Sequence, residues 1–305
     1  MKNKKDGYLE LVDPKPLINT FAPWLLGILY TLYNYHLFNL WLSIEMLIAS
    51  AFLQLALNLN DDFWDNRRSE ALGIDDPQNP INTYDLSKKV VLSLIISFLV
   101  ISMAFAFAIG FQTNVIIWLV GIFCYSVAIG YSTGRHSISG TPFGEGLSGI
   151  AMGFGIFFVT AFLNINHVLP LDWNFTWKAI LASGVGVACT FNLLLANNIC
   201  DAQPDIEHGR HTIVSYLGIK NSCWLMAIVY IAGYIASIFA TIVGCIPWTV
   251  LIIEFLLLPY LIKQVRFIFQ KQSKQISFVK ILNTNILLSF GQILGLVISL
   301  INLFK

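Results

Sequence analysis

Charge is what this sequence has least of. Only 11% of its 305 residues are Asp, Glu, Lys or Arg, against about 25% in a soluble domain. By contrast 56% are hydrophobic, and the mean hydropathy is +0.71. A soluble globular enzyme and a disordered chain are excluded. The net charge of +1 leaves no long-range field for a polyanion, so no nucleic-acid partner is expected. Polar–apolar alternation is missing too, and with it the signature of a membrane β-barrel. The five cysteines lie in or beside apolar runs and form no CxxC pair. They read as small buried hydrophobes, not as a disulfide or metal framework. No short apolar stretch with a small-residue cleavage site follows the polar N-terminus. The first apolar run is long enough to span, so it is expected to be retained. Linkers and low-complexity segments are absent, so a single transmembrane domain over 1–305 is expected.

What is present is long apolar runs. A helix needs roughly 20 apolar residues to cross the hydrocarbon core. That ruler predicts an all-α polytopic membrane protein with nine spans, near 17–38, 40–59, 89–110, 113–131, 142–163, 176–197, 222–244, 247–264 and 280–303. The basic residues test the count. With the N-terminus and the loops after spans two, four, six and eight on one side, all of the 18 Lys and Arg except Lys178 and Lys305 fall there. Positive residues stay inside, which predicts a cytoplasmic N-terminus, an external C-terminus and residence in the plasma membrane. Most acidic residues share the cytoplasmic side, so the chemistry is expected there.

Two acidic clusters stand out. Span two runs into Asn58, Asp61, Asp62 and Asp65. At 3.6 residues per turn Asn58, Asp62 and Asp65 share a face, with Asp61 at its edge. Carboxylates on one face repel unless a cation lies between them. Hard oxygen ligands suit Mg²⁺, which binds through one or two carboxylates plus substrate phosphates. The alternative is a solvated helix end. Span six runs into Asn197, Asn198, Asp201 and Asp205. Here Asn198, Asp201 and Asp205 share a face, although Pro204 clashes with the carbonyl of Cys200 and should kink or end the helix. Both clusters emerge on the same side. Facing each other, they can hold Mg²⁺ ions around a diphosphate. Glu254, alone inside span eight, is either functional or a helix–helix hydrogen bonder.

At this point the chain resembles the UbiA superfamily of intramembrane prenyltransferases, whose hallmark is a pair of NxxxDxxD and DxxxD motifs. Asn58-xxx-Asp62-xx-Asp65 and Asp201-xxx-Asp205 match them. Tyr131-Ser-Thr-Gly-Arg135 with Gly144-Glu145, and the run from Asn197 through Thr212 to Gly218, are similar to 1,4-dihydroxy-2-naphthoate prenyltransferases of menaquinone biosynthesis. The first motif departs from that family in having Asp61-Asp62 where Asn-Asp is usual, and Thr133-Gly134-Arg135 stands where the family has Gly-Gly-Pro.

The resemblance implies a helical bundle with its active site at the cytoplasmic rim. It implies a polyprenyl diphosphate donor and an aromatic acceptor, prenylated with loss of diphosphate and CO2 to give demethylmenaquinone. Mg²⁺ held by Asp62, Asp65, Asp201 and Asp205 would assist ionisation to an allylic cation. Asn58, Asp61, Asn197 and Asn198 would support the metals or the substrate. Arg67, Arg135 and Arg210 are candidate phosphate clamps, because a guanidinium binds oxyanions bidentately. Tyr131 and Glu145 fall in the acceptor loop, with Glu145 expected to orient or deprotonate a phenol. Two alternatives stay open: another acceptor such as 4-hydroxybenzoate, and a divalent-cation transporter with acidic gates.

Overall fold

A computed structural model describes residues 4–73, 76, 79–134, 137–207 and 209–303. Arg135, singled out in the sequence, lies outside the described residues. Among these residues there is helix and no strand.

The first helix, α1 (Lys4–Val12), precedes the apolar runs. The polar composition of this stretch gave no sign of it. Its Leu11 joins a small core with Leu59, Phe63, Ile81 and Val91, which explains why so short a helix forms. The long helices follow: α2 (Ile18–Tyr35), α3 (Leu40–Leu72), the short α4 (Pro80–Thr83), α5 (Lys88–Phe111) and α6 (Val115–Ser132). Next come α7 (Gly144–Ser148), a π-helical stretch (Gly149–Gly155) and α8 (Ile156–Ile165), then α9 (Trp173–Ala182), α10 (Gly184–Cys200) and the short α11 (Ala202–Glu207). The chain ends with α12 (Ile213–Ile242), α13 (Trp248–Gln270), a π-helical stretch (Lys274–Phe278) and α14 (Val279–Leu303).

Six described helices are long and apolar enough to cross a membrane: Leu40–Leu72, Lys88–Phe111, Val115–Ser132, Gly144–Ile165, Ile213–Ile242 and Lys274–Leu303. A seventh counts if α9 and α10, bent by 51° at Ser183, form one broken span. The other two expected spans fall on helices α2 and α13, which are not among these six. The bend falls at a Ser-Gly pair, a usual site of sharp kinks. Caps place several starts. The Asn39 side chain accepts from Leu42 N, Asn114 from Ile116 N, and Asp172 from Phe175 N, satisfying donors that a first turn leaves orphaned. Gly218, at φ 74° and ψ 160°, breaks α12 near its start, a backbone state that suits glycine.

The helices pair as α3 with α5, α10 with α12, α13 with α14, and α2 with α8. Gly144–Ile165 is the most buried of the six candidate spans and Lys88–Phe111 the least. Large side chains such as Leu119, Ile235, Phe239 and Leu256 remain exposed on the outer faces. Lipid contact requires such a surface, since acyl chains are as apolar as the side chains they touch.

Glu254 is fully buried and holds helices together. It accepts from Ser237 Oγ of α12 and, at 2.9 Å, from Gln292 Nε2 of α14. Glu254→Ala strands both partners in an apolar interior. It is expected to cost about 1–2 kcal/mol, read as a lower unfolding temperature in detergent, with Glu254→Gln losing less.

Candidate active site

The expected second span ends at residue 59, yet α3 continues to Leu72 before Gly73 caps it. That continuation lays the first cluster along one helical face. Gln54 Nε2 donates to Asn58 Oδ1 at 2.8 Å, and Asn58 Nδ2 donates to the Asp13 carbonyl at 3.3 Å. Asp61 accepts a hydrogen bond from the Ser132 hydroxyl at the end of α6. The Asp62 carbonyl accepts from Asn79 Nδ2 at 2.8 Å. Its carboxylate lies within electrostatic range of Asp13, Asp61, Asp65 and Asp76. Asp65 pairs with Arg68, whose other terminal nitrogen donates to the Ser132 carbonyl at 3.2 Å.

The second cluster begins where α10 stops. The helix ends at Cys200, as Pro204 requires, and the chain turns at Asp201 before α11. Pro204 then sits near the start of α11, where its missing N–H costs nothing. Asp201 Oδ2 meets Lys274 Nζ at 2.6 Å. Asp205, 4% exposed, lies 3.4 Å from Arg210 Nε, an ion pair without hydrogen-bond geometry. Its Oδ2 has no hydrogen-bond partner. Burial pushes the Asp205 carboxyl above its usual range; Arg210 pulls it back and Asp201 adds to the rise. Asn198 Nδ2 donates to Glu145 Oε1 at 2.7 Å, with both residues buried and Glu145 Oε2 unpartnered.

Arg210 joins the two clusters. Burial opposes its charge, but Asp205, Asp65, Tyr131 and Asp61 outweigh that and push its pKa up. Its Nη2 also donates to the Ser139 carbonyl at 3.2 Å, and His211 N donates to the Gly140 carbonyl at 2.9 Å. The loop after α6 and the loop after α11 are therefore stitched together. Asp205 and Asp65 in turn lie within electrostatic range of each other. Two helix ends from distant parts of the chain thus face one another, as expected from the sequence.

The structure separates Arg67 from this group. Its guanidinium is exposed and lies over the rings of Phe63 and Trp64, 5.8 and 5.3 Å from their centroids. Arg68 takes the aspartate side instead. The sequence carried that signal: Arg68 is three residues from Asp65, on the same face, whereas Arg67 is two residues away and points elsewhere. Ser132 and Lys274 are further neighbours that sequence reasoning missed. They come from separate helices, and no local spacing announces them.

Carboxylates outnumber cations here, and one buried oxygen of Asp205 has no partner. That donor set fits added divalent cations, hard ions that take oxygen ligands. Among the described residues, no three His, Cys, Asp or Glu side chains converge tightly enough to hold an ion alone. The set therefore suits ions whose remaining ligands are substrate oxygens and water.

From this polar end a cavity of about 830 Å³ extends between the helices. Asn58, Asp61, Tyr131 and Asn197 line its polar mouth. Leu53, Met103, Ile117, Gly121 and Val159 are among its apolar walls. Such a shape accepts a molecule with a charged head and a long apolar body.

Helical bundle, paired acidic helix ends and deep apolar cavity together define an intramembrane enzyme acting on an amphiphile. The sequence pattern of the UbiA prenyltransferase family matches residues 20–287, and the chain belongs to that family. It is a multi-pass membrane prenyltransferase, which sets aside the cation-transporter alternative. It is 27% identical over 299 residues to the 1,4-dihydroxy-2-naphthoate octaprenyltransferase of Bacillus subtilis (strain 168), covering 95% of this chain and 92% of that protein. Its fold is similar to that of an apo UbiA homologue from Aeropyrum pernix K1, with a TM-score of 0.73 at 18% identity, covering 92% of this chain and 98% of that one. It is also similar to a UbiA homologue from Archaeoglobus fulgidus bound to DMAPP and Mg²⁺, with a TM-score of 0.66 at 14% identity, covering 95% and 98% of the two chains.

Proposed function

We propose that this enzyme transfers a polyprenyl group from polyprenyl diphosphate to 1,4-dihydroxy-2-naphthoate, releasing diphosphate and CO2 and giving the demethylmenaquinone skeleton. The observation that carries the reading is the pair of facing aspartate clusters at the mouth of an apolar cavity. One domain of nine spans, with a cytoplasmic N-terminus and the clusters at the cytoplasmic rim of the plasma membrane, accommodates the distribution of basic residues. The broken pair α9 and α10, together with α2 and α13, supply the spans beyond the six.

Asp62 and Asp65 on one side, and Asp201 and Asp205 on the other, would hold Mg²⁺ against the diphosphate. The metal supplies Lewis-acid stabilisation of the leaving group's charge. Asn58 and Asn197 orient the mouth. Asp61, held by Ser132, shapes the wall beside it. Arg210 offers a guanidinium to the diphosphate oxygens and keeps the two loops together; by sequence Arg135 falls in the loop after α6. As the bond between the prenyl carbon and oxygen breaks, its electron pair leaves with diphosphate. The allylic cation is sheltered from water by apolar walls. The ring carbon bearing the carboxylate forms the new carbon–carbon bond, and CO2 departs. Asn198 fixes the Glu145 carboxylate, which orients or deprotonates a phenol of the acceptor beside Tyr131.

Two expectations follow from these roles. Glu145→Gln should lower kcat about 100-fold while shifting the KM for the prenyl donor only a few-fold, in steady-state kinetics. Acceptor identity is tested by competition. Purified protein in nanodiscs receives a polyprenyl diphosphate with both 1,4-dihydroxy-2-naphthoate and 4-hydroxybenzoate, and products are resolved by mass spectrometry. Prenylated, decarboxylated naphthalenediol is the expected product. Prenylated 4-hydroxybenzoate alone would keep the chemistry and overturn the acceptor.

A further inference from the structure

On the side away from the aspartates the cavity lining reaches Trp118. There its six-membered ring is wedged against Gly110. A Cβ added there would lie only 2.4 Å from Trp118 Cε2, so the indole fits because residue 110 has no side chain. Phe107 and Phe111 pack edge-on against the same indole, with centroids 5.2 and 5.4 Å away. Trp41, Trp173 and Trp248, also near helix ends, are 63–74% exposed, as interfacial tryptophans should be. Trp118 instead is half-buried and lines the cavity.

The walls measure the depth. Along α6 the lining runs from Tyr131 to Ile117, and along α3 from Asp61 to Met46. At about 1.5 Å per residue these are about 21 and 22 Å. An extended isoprene unit adds four chain carbons, about 5 Å at C–C bonds of ~1.5 Å. An extended tail beginning at the aspartates therefore meets Trp118 after about four units.

We propose that the wedge of Trp118 on Gly110 is the ruler for the donor tail, resting on the prenyl-transfer reading above. Tails of about four isoprene units lie straight within the protein. Longer tails must fold back or leave sideways into lipid, and they gain little further binding from the cavity. Gly121, one turn nearer the aspartates on α6, also lines the cavity. A Cβ added there meets no neighbouring side chain or helix within 4 Å, so a larger residue at this lining position has room to project into the path of the tail.

The experiment measures kcat/KM in nanodiscs for dimethylallyl, geranylgeranyl and octaprenyl diphosphates, using the wild-type chain and the Trp118→Ala and Gly121→Phe variants. The wild-type values should climb from the five-carbon to the twenty-carbon donor and then level off. Trp118→Ala should raise the ratio of octaprenyl to geranylgeranyl efficiency about tenfold. Gly121→Phe should lower the ratio of geranylgeranyl to dimethylallyl efficiency by a similar factor. Each variant is its own control because only ratios are read. Ratios unchanged in both active variants overturn the ruler and leave the prenyl-transfer reading standing. A wild-type chain that transfers none of the three donors overturns that reading itself.

Discussion

Asp62→Ala, or Asp201→Ala, should abolish turnover, with a fall in kcat of about a thousandfold or more. Each carboxylate belongs to one of the two facing helix ends, so losing either removes one side of the proposed diphosphate site. The stability change should have the opposite character. Asp62 lies within electrostatic range of Asp13, Asp61, Asp65 and Asp76, and its removal relieves repulsion. The unfolding temperature of Asp62→Ala in detergent is therefore expected to equal or slightly exceed that of the wild type. Product formation in nanodiscs beside a thermal scan reads both quantities. Normal turnover in either variant would refute the assignment of these residues to the metals.

Arg210→Ala should have the next largest effect, lowering kcat/KM about 100-fold or more. The reason is double. Its guanidinium is the cation shared by Asp205, Asp65 and Asp61, and its Nη2 holds the Ser139 carbonyl of the loop after α6. Removing it leaves the buried Asp205 carboxylate without its ion pair, a loss of about 1–3 kcal/mol of stability. The pH dependence supplies an independent sign. Arg210 lowers the Asp205 pKa against burial, so without it the pKa rises further. Asp205 then takes up its proton at a higher pH as the solution is acidified. The acid limb of the variant's rate profile should move up in pH, and Arg210→Lys should move it less. An acid limb that stays in place in an active Arg210→Ala enzyme would separate Arg210 from Asp205 in function.

Much of this architecture is legible in the sequence because lipid leaves few alternatives. A chain crossing hydrocarbon must satisfy its backbone internally, so each of the nine apolar runs became helix close to its expected place. The departures have local causes. α3 runs past the end of the apolar stretch because nothing before Gly73 breaks it, and α1 contributes Leu11 to a core over that extension. The run near 176–197 bends at Ser183-Gly184, where composition still reads as one continuous span. At the site, helical period brought Asn58, Asp62 and Asp65 to one face, and the same period favours Arg68 over Arg67. The partners Ser132, Lys274 and Ser139 are a different matter. They reach the clusters only through packing of distant helices and loops, which no spacing within one segment encodes. The place of Trp118 in the cavity lining is hidden for the same reason, since the sequence shows one tryptophan among 8 and not which way it faces.

The most direct test of the central claim, that the facing aspartate ends act through divalent cations on a prenyl diphosphate, is turnover by the purified chain in lipid nanodiscs. Polyprenyl diphosphate and 1,4-dihydroxy-2-naphthoate are supplied with Mg²⁺ or with EDTA, and product and released diphosphate are both measured. Equimolar prenylated product and diphosphate are expected with Mg²⁺, none with EDTA, and recovery when Mg²⁺ is restored. Equal turnover with and without the chelator would contradict the claim.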